Sequence, residues 1–155
     1  ASFAVHGVRH LWAAYEDVVV VLGAHAAAVQ RGITEEFEAL VERGGLHEDL
    51  AHAHGHGAAG LECQFVVNRA WKRGMLSSVQ AGLAVALKRK PQALLVLPVD
   101  HPKVRSVTVA ALANVLLQAL AANRTPRDRA AFSYALVPRY KGERGHPLAL
   151  TPALA

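Results

Sequence analysis

"DVVVVLG", residues 17–23, sets four valines and a leucine in a row between an aspartate and a glycine. From 18 to 22 no position is polar, so no face of the segment is reserved for water. β-Branched residues favour extended backbone, and a strand without polar alternation is one buried on both faces, as in a parallel sheet covered by helices. The fold class then depends on what flanks the strand.

Upstream, Val5, Val8, Leu11, Trp12 and Tyr15 recur at spacings of three and four and predict a helix over 3–15. Downstream, helical spacing returns from His25 to about Gly44, with a break expected near Gly32. There "TEEFEALVER" starts with Thr34 as a cap and acidic residues in its first turn. "HGHGAAG" then leads to "ECQFVVN", 62–68, a second buried strand. "MLSSVQAGLAVALKRK", 75–90, reads as a helix with basic residues in its last turn and Pro91 as its stop. "ALLVLPV", 93–99, is a third strand, 106–123 a long helix capped by Ser106, and "AFSYALVP", 131–138, a last strand. Strand and helix alternate, which predicts an α/β domain with a mostly parallel sheet covered on both faces.

At 155 residues the chain fits one domain, spanning 1–155. Seventeen Lys and Arg against twelve Asp and Glu give a net charge of +5, which favours anionic partners. The basic residues fall in short groups ("KRK" at 88–90, "RDR" at 127–129) rather than along one helix stripe, so nucleic acid is not the expected partner. Cys63 is the single cysteine, so no intrachain disulfide exists and a reducing, cytoplasmic setting is expected. No apolar stretch approaches the roughly 20 residues that span a bilayer, and no membrane partner is expected. Nothing in the pattern fixes an oligomeric state.

Ligands of parallel α/β sheets bind outside the carboxyl ends of the strands, where Gly23, Asn68 and Asp100 all fall. Asp100 ends the apolar run "LLVLPVDHP", 94–102. A carboxylate there can hold a divalent cation, because Mg2+ prefers oxygen ligands. It can equally cap a following helix, since Asp-X-Pro is common at helix starts. In "NRAWKRGMLSSVQAGL", 68–83, a basic loop precedes a helix opening with Ser77 and Ser78. That suits an anion at the helix N-terminus, or simple capping. "VPRYKGERGHP", 137–147, sets cations around two glycines, either a ligand loop or a solvated basic hairpin. His47, His52, His54 and His56 match no zinc spacing and read as a surface loop. Cys63 reads as a small packed hydrophobe.

Together "VVVVLGA", "NRAWKRGMLSSVQAGL", "LLVLPVDHPKV" and "LVPRYKGERGHPLAL" resemble the MobA-like nucleotidyltransferases, in that family's order and across almost the whole chain. The resemblance implies a Rossmann-like three-layer αβα sandwich that takes a nucleoside triphosphate (CTP, GTP or ATP) and a small phosphorylated acceptor, with Mg2+ as cofactor. Asp100 matches the family's metal ligand. Asn68, Gly74, Met75, Ser77 and Ser78 match the segment beside the nucleotide. Arg144, Gly145, His146 and Pro147 match the turn on the acceptor side. The implied reaction is attack of an acceptor phosphate on the α-phosphorus, as in molybdenum cofactor synthesis. The family's opening strand with its "LAAGxSxRMGxxK" signature, and its C-terminal "GD" segment, have no counterpart in the sequence. A domain incomplete at both ends is therefore expected, with a non-catalytic binding module of the same fold as the alternative.

Overall fold

The structure is a computed structural model that describes residues 2–12, 17–43, 62–122, 125 and 132–155. Helix α1 (Phe3–Trp12) leads to strand β1 (Asp17–Leu22), helix α2 (Ala26–Glu42) and strand β2 (Glu62–Val67). Helix α3 (Met75–Ala86), strand β3 (Leu94–Val96) and helix α4 (Ser106–Ala122) follow. Four short strands complete the order: β4 (Ala135–Leu136), β5 (Arg139–Tyr140), β6 (Glu143–Arg144) and β7 (Leu148–Leu150).

β1 and β2 pair in parallel, from Asp17 opposite Glu62 to Leu22 opposite Val67. Successive side chains of a strand face opposite ways. Val18, Val20 and Leu22 accordingly pack under Val5 and Val8 of α1 and Ile33 and Phe37 of α2. On the other face α3 lies so close to β1 that a Cβ on Gly82 would stand 2.9 Å from Val21 Cγ2. The apolar "VVVVL" is thus explained by helices on both sides.

The expected single sheet is not what forms. The described strands make three small sheets, β1–β2, β3–β7–β4 and β5–β6, and parallel pairing is confined to the first. β7 returns antiparallel between β3 and β4, with Val96 opposite Leu148 and Ala135 opposite Leu150. Among the described residues the architecture is therefore mixed helices and small sheets, consistent with the α/β class, and these sheets do not by themselves make a clear three-layer sandwich on one parallel sheet. Two local causes contribute. Of the expected strand over 131–138, the described part from Phe132 on pairs as a strand at Ala135–Leu136 alone, and Pro138 has no N–H to extend a ladder. β7 is a three-residue "LAL" with no polar alternation to announce it.

Helix α4 covers the second sheet: Leu116 and Leu120 pack on Ala149, with Ala93, Leu95, Leu112, Phe132 and Leu136 around them. Helix α1 touches β1, α2 and α4, and a Cβ on its Gly7 would lie 3.8 Å from Leu97, just past β3. It therefore spans from one sheet to the other.

Helix boundaries also moved. α2 is continuous through Gly32, which is exposed, and Thr34 is not a cap: its Oγ1 donates to Gln30 O at 3.1 Å within the helix. α3 ends at Ala86 and tightens into a 3-10 turn, Leu87–Arg89, before Lys90 adopts φ 52 ahead of Pro91. The His47, His52, His54 and His56 loop, the far end of the first helix near Tyr15, and the start of the last strand at 131 lie outside the described residues. Among the described residues no helix is long and apolar enough to cross a membrane.

Candidate functional site

The parallel register of β1 and β2 sets their carboxyl ends side by side, and Asn68 N donates to Leu22 O at 2.8 Å to close the ladder. Asn68 is 6% exposed, one of few buried polar side chains. Its Oδ1 accepts from Ala70 N at 2.9 Å, folding the chain into an Asx turn. Its Nδ2 donates to Ser77 Oγ at 2.9 Å and to Ser78 Oγ at 3.0 Å. Both amide hydrogens are thereby used, and the first turn of α3 is tied to the end of β2. The N-cap of α3 is Gly74, at φ 97, with no side-chain cap, so neither serine caps the helix. Ser77 Oγ instead lies 2.8 Å from Gly74 O.

Over this loop sits Trp71. A Cβ on Gly23 would come within 3.0 Å of Trp71 Cβ, so the glycine ending β1 makes room for the indole. Lys72 Nζ stands 5.6 Å from the centre of the same ring. Met75 and Leu76, opening α3, are both exposed and form an apolar lip beside Lys72 and Arg73.

The second group stands at the end of β3. Because Val96 pairs with Leu148, residues leaving β3 run beside those entering β7. His101, next to Asp100, therefore meets His146 of the Gly145–Pro147 turn. The His101 and His146 ring centroids are 4.1 Å apart, tilted by 46°. His101 Nε2 is 3.7 Å from Asp100 Oδ1, too long for a hydrogen bond. The Asp100 side chain is 78% exposed. It is not a helix cap, since α4 begins only at Ser106. His146 Nδ1 is buried without a hydrogen-bond partner, while Pro147 behind it is fully buried.

Arg144 lies on the hairpin that precedes this turn. β5 and β6 pair Arg139 with Arg144 across Lys141 (φ 49) and Gly142 (φ 88), two positive φ values as tight hairpins require. Gly145 N donates to Pro138 O at 2.9 Å, fastening the turn to the end of β4. The segment is thus a solvated basic hairpin leading directly into the turn, and Arg144 is exposed.

Two clusters result: Gly23, Asn68, Trp71, Gly74, Ser77 and Ser78 on the parallel pair, and Asp100, His101, Gly145, His146 and Pro147 on the antiparallel sheet. Sequence reasoning gave His101 no role, because its contact with His146 depends on β7, whose pairing the sequence did not announce. Trp71 was seen, but not its seat on Gly23. A separate groove of about 430 Å3 lies between α2 and β2, lined by Thr34, Phe37, Val41, Cys63 and Phe65 with Glu38 and Glu42. It shares no residue with either cluster, and its apolar walls offer a phosphate nothing. Burial there pushes the Cys63 thiol up from 9.0 to about 11.

Paired strands sheathed by helices, with polar and glycine-bearing loops gathered at strand ends, place the candidate residues where α/β domains take their ligands. The family model described as MobA-like NTP transferase domain matches residues 2–155, and the chain belongs to that family. Neither the curated proteins nor the solved structures hold a match to it. Membership brings nucleotidyl transfer as the general activity and a nucleoside triphosphate as the general substrate.

Proposed function

We propose that the chain is a Mg2+-dependent nucleotidyltransferase domain that moves a nucleoside monophosphate from CTP, GTP or ATP onto a phosphate-bearing acceptor, with molybdenum cofactor synthesis as its setting. The observation that carries this reading is the Asp100 carboxylate. Its side chain is 78% exposed on the loop that follows β3, with Oδ1 3.7 Å from His101 Nε2. Among the described residues no three His, Cys, Asp or Glu side chains gather to hold a metal. A lone accessible carboxylate suits Mg2+, which keeps several waters and takes its remaining ligands from substrate phosphates. When bound, the ion would offset charge between phosphates that repel one another.

The rest of the work falls to the chain. Asn68 holds Ser77 and Ser78 in place, and with Gly74 N and Ser77 N committed to Trp71 O and Gly74 O, the backbone N–H groups of Met75 and Leu76 are the ones the helix start offers an anion beside Lys72 and Arg73. Arg144 and the turn of Gly145, His146 and Pro147 face the acceptor. In the transfer, an acceptor phosphate oxygen bonds to the α-phosphorus while the bond from that phosphorus to the bridging oxygen breaks, and pyrophosphate leaves with the electron pair. Such catalysis is mostly positioning and charge stabilisation.

Asp100→Ala is expected to lower Mg2+-dependent pyrophosphate release by roughly 10²-fold or more, the scale on which a removed electrostatic stabiliser acts. The assay uses CTP, GTP and ATP with phenyl phosphate as a phosphomonoester acceptor. The residue is exposed, so folding should be untouched, and unchanged turnover in the folded variant would sink the assignment.

A further inference from the structure

The His101 ring is the part of the Asp100 loop to which the proposed reaction gives no task, and the β3–β7 ladder shows what it does. Pairing stops at Val96 and Leu148, so beyond that point no strand hydrogen bond joins the two chain segments. Outward of that point the two imidazoles meet, 4.1 Å between centroids.

The two segments are unequally held. The turn is anchored by the buried Pro147 and by Gly145 N on Pro138 O. The Asp100 loop is mostly exposed and kept in shape by local turns, His101 N on Pro98 O at 3.2 Å and Val104 N on His101 O at 3.3 Å. Nothing hydrogen-bonds His146 Nδ1, so ring contact, not a polar bond, fixes that imidazole.

We propose that His101 is a positioning residue whose ring, packed on His146, ties the Asp100 loop to the Gly145–Pro147 turn, so that carboxylate and acceptor-side turn keep one geometry. This rests on the transferase reading for its catalytic consequence. The juxtaposition itself does not depend on that reading.

The test compares His101→Ala, His101→Phe and His101→Gln in the full chain. By NMR, His101→Ala is expected to move the His146 ring-proton resonances away from the positions that the tilted ring contact imposes, and His101→Phe to hold them near those positions. With CTP, GTP or ATP, Mg2+ and phenyl phosphate, His101→Ala should lower kcat by between about tenfold and 10²-fold, the effect of an ångström-scale misplacement, while the nucleotide KM stays within about twofold. His101→Phe should restore kcat and His101→Gln should not. The proposal is overturned if the His146 resonances do not move in His101→Ala, if His101→Gln works as well as the native chain, or if kcat, KM and the melting temperature all fall together. A native chain that releases no pyrophosphate sinks the transferase reading instead, and the resonances alone then decide whether the rings join the loops.

Discussion

Asn68 shows how one side chain can organise a loop. Its buried amide answers three groups at once, Ala70 N and the hydroxyls of Ser77 and Ser78. Asn68→Ala removes all three partners and is expected to destabilise the domain by about 1–3 kcal/mol, read from urea unfolding. Its place at the strand end was legible from "ECQFVVN". Its partners were not, because spacing alone does not say which hydroxyls a buried amide will choose. Cys63 gives a prediction in pH. A thiol raised by burial is held protonated in the folded state, so its contribution is complete below pH 9.0 and is lost as pH climbs towards about 11. Over that interval the native protein should lose thermal stability relative to Cys63→Ala, and parallel curves would contradict the assignment.

At the scale of elements, strong patterns were read correctly and short ones were not. β1 declared itself by a run of apolar, β-branched residues, α3 and α4 by helical period, and β2 by "FVV", although the burial expected of β2 is not met: Gln64 and Val67 are exposed and Cys63, Phe65 and Val66 half-buried. Glycine misled: Gly32 suggested a break in α2, but an isolated exposed glycine only weakens a helix, by about 1 kcal/mol relative to alanine, and neighbouring turns carry it. Gly82 is the opposite case, a glycine demanded by packing, since the Val21 methyl occupies the space a side chain would need. Gly82→Val should therefore cost about 1–3 kcal/mol by overpacking. A melting temperature equal to the native one would show that α3 can stand off from β1. The antiparallel return of β7 was illegible because three apolar residues carry no direction, and the partner of a strand is set by tertiary packing, not by the strand itself.

For the whole molecule, the described residues divide their apolar side chains between two centres, one around Val5, Leu22 and Ile33 and one around Leu116 and Ala149. Each centre supports one cluster of candidate site residues, and α1 reaches across both. Leu116 is fully buried, and Leu116→Ala should cost about 2–5 kcal/mol through lost burial and the cavity left behind. If the two centres melt as one cooperative unit, calorimetry of that variant shows a single transition at lower temperature; a split transition would show that α1 couples them weakly. The β3–β7 register also acts as a ruler for chemistry that neither strand performs. Sliding one strand past the other by a residue would shift the Asp100 loop by about 3.4 Å along the turn and turn every side chain to the opposite face. Leu94, Ala149 and Leu150 are buried and forbid that slip. Buried apolar side chains of the two strands thus fix the register between the Asp100 loop and the histidine-bearing turn, on which the proposed reaction depends.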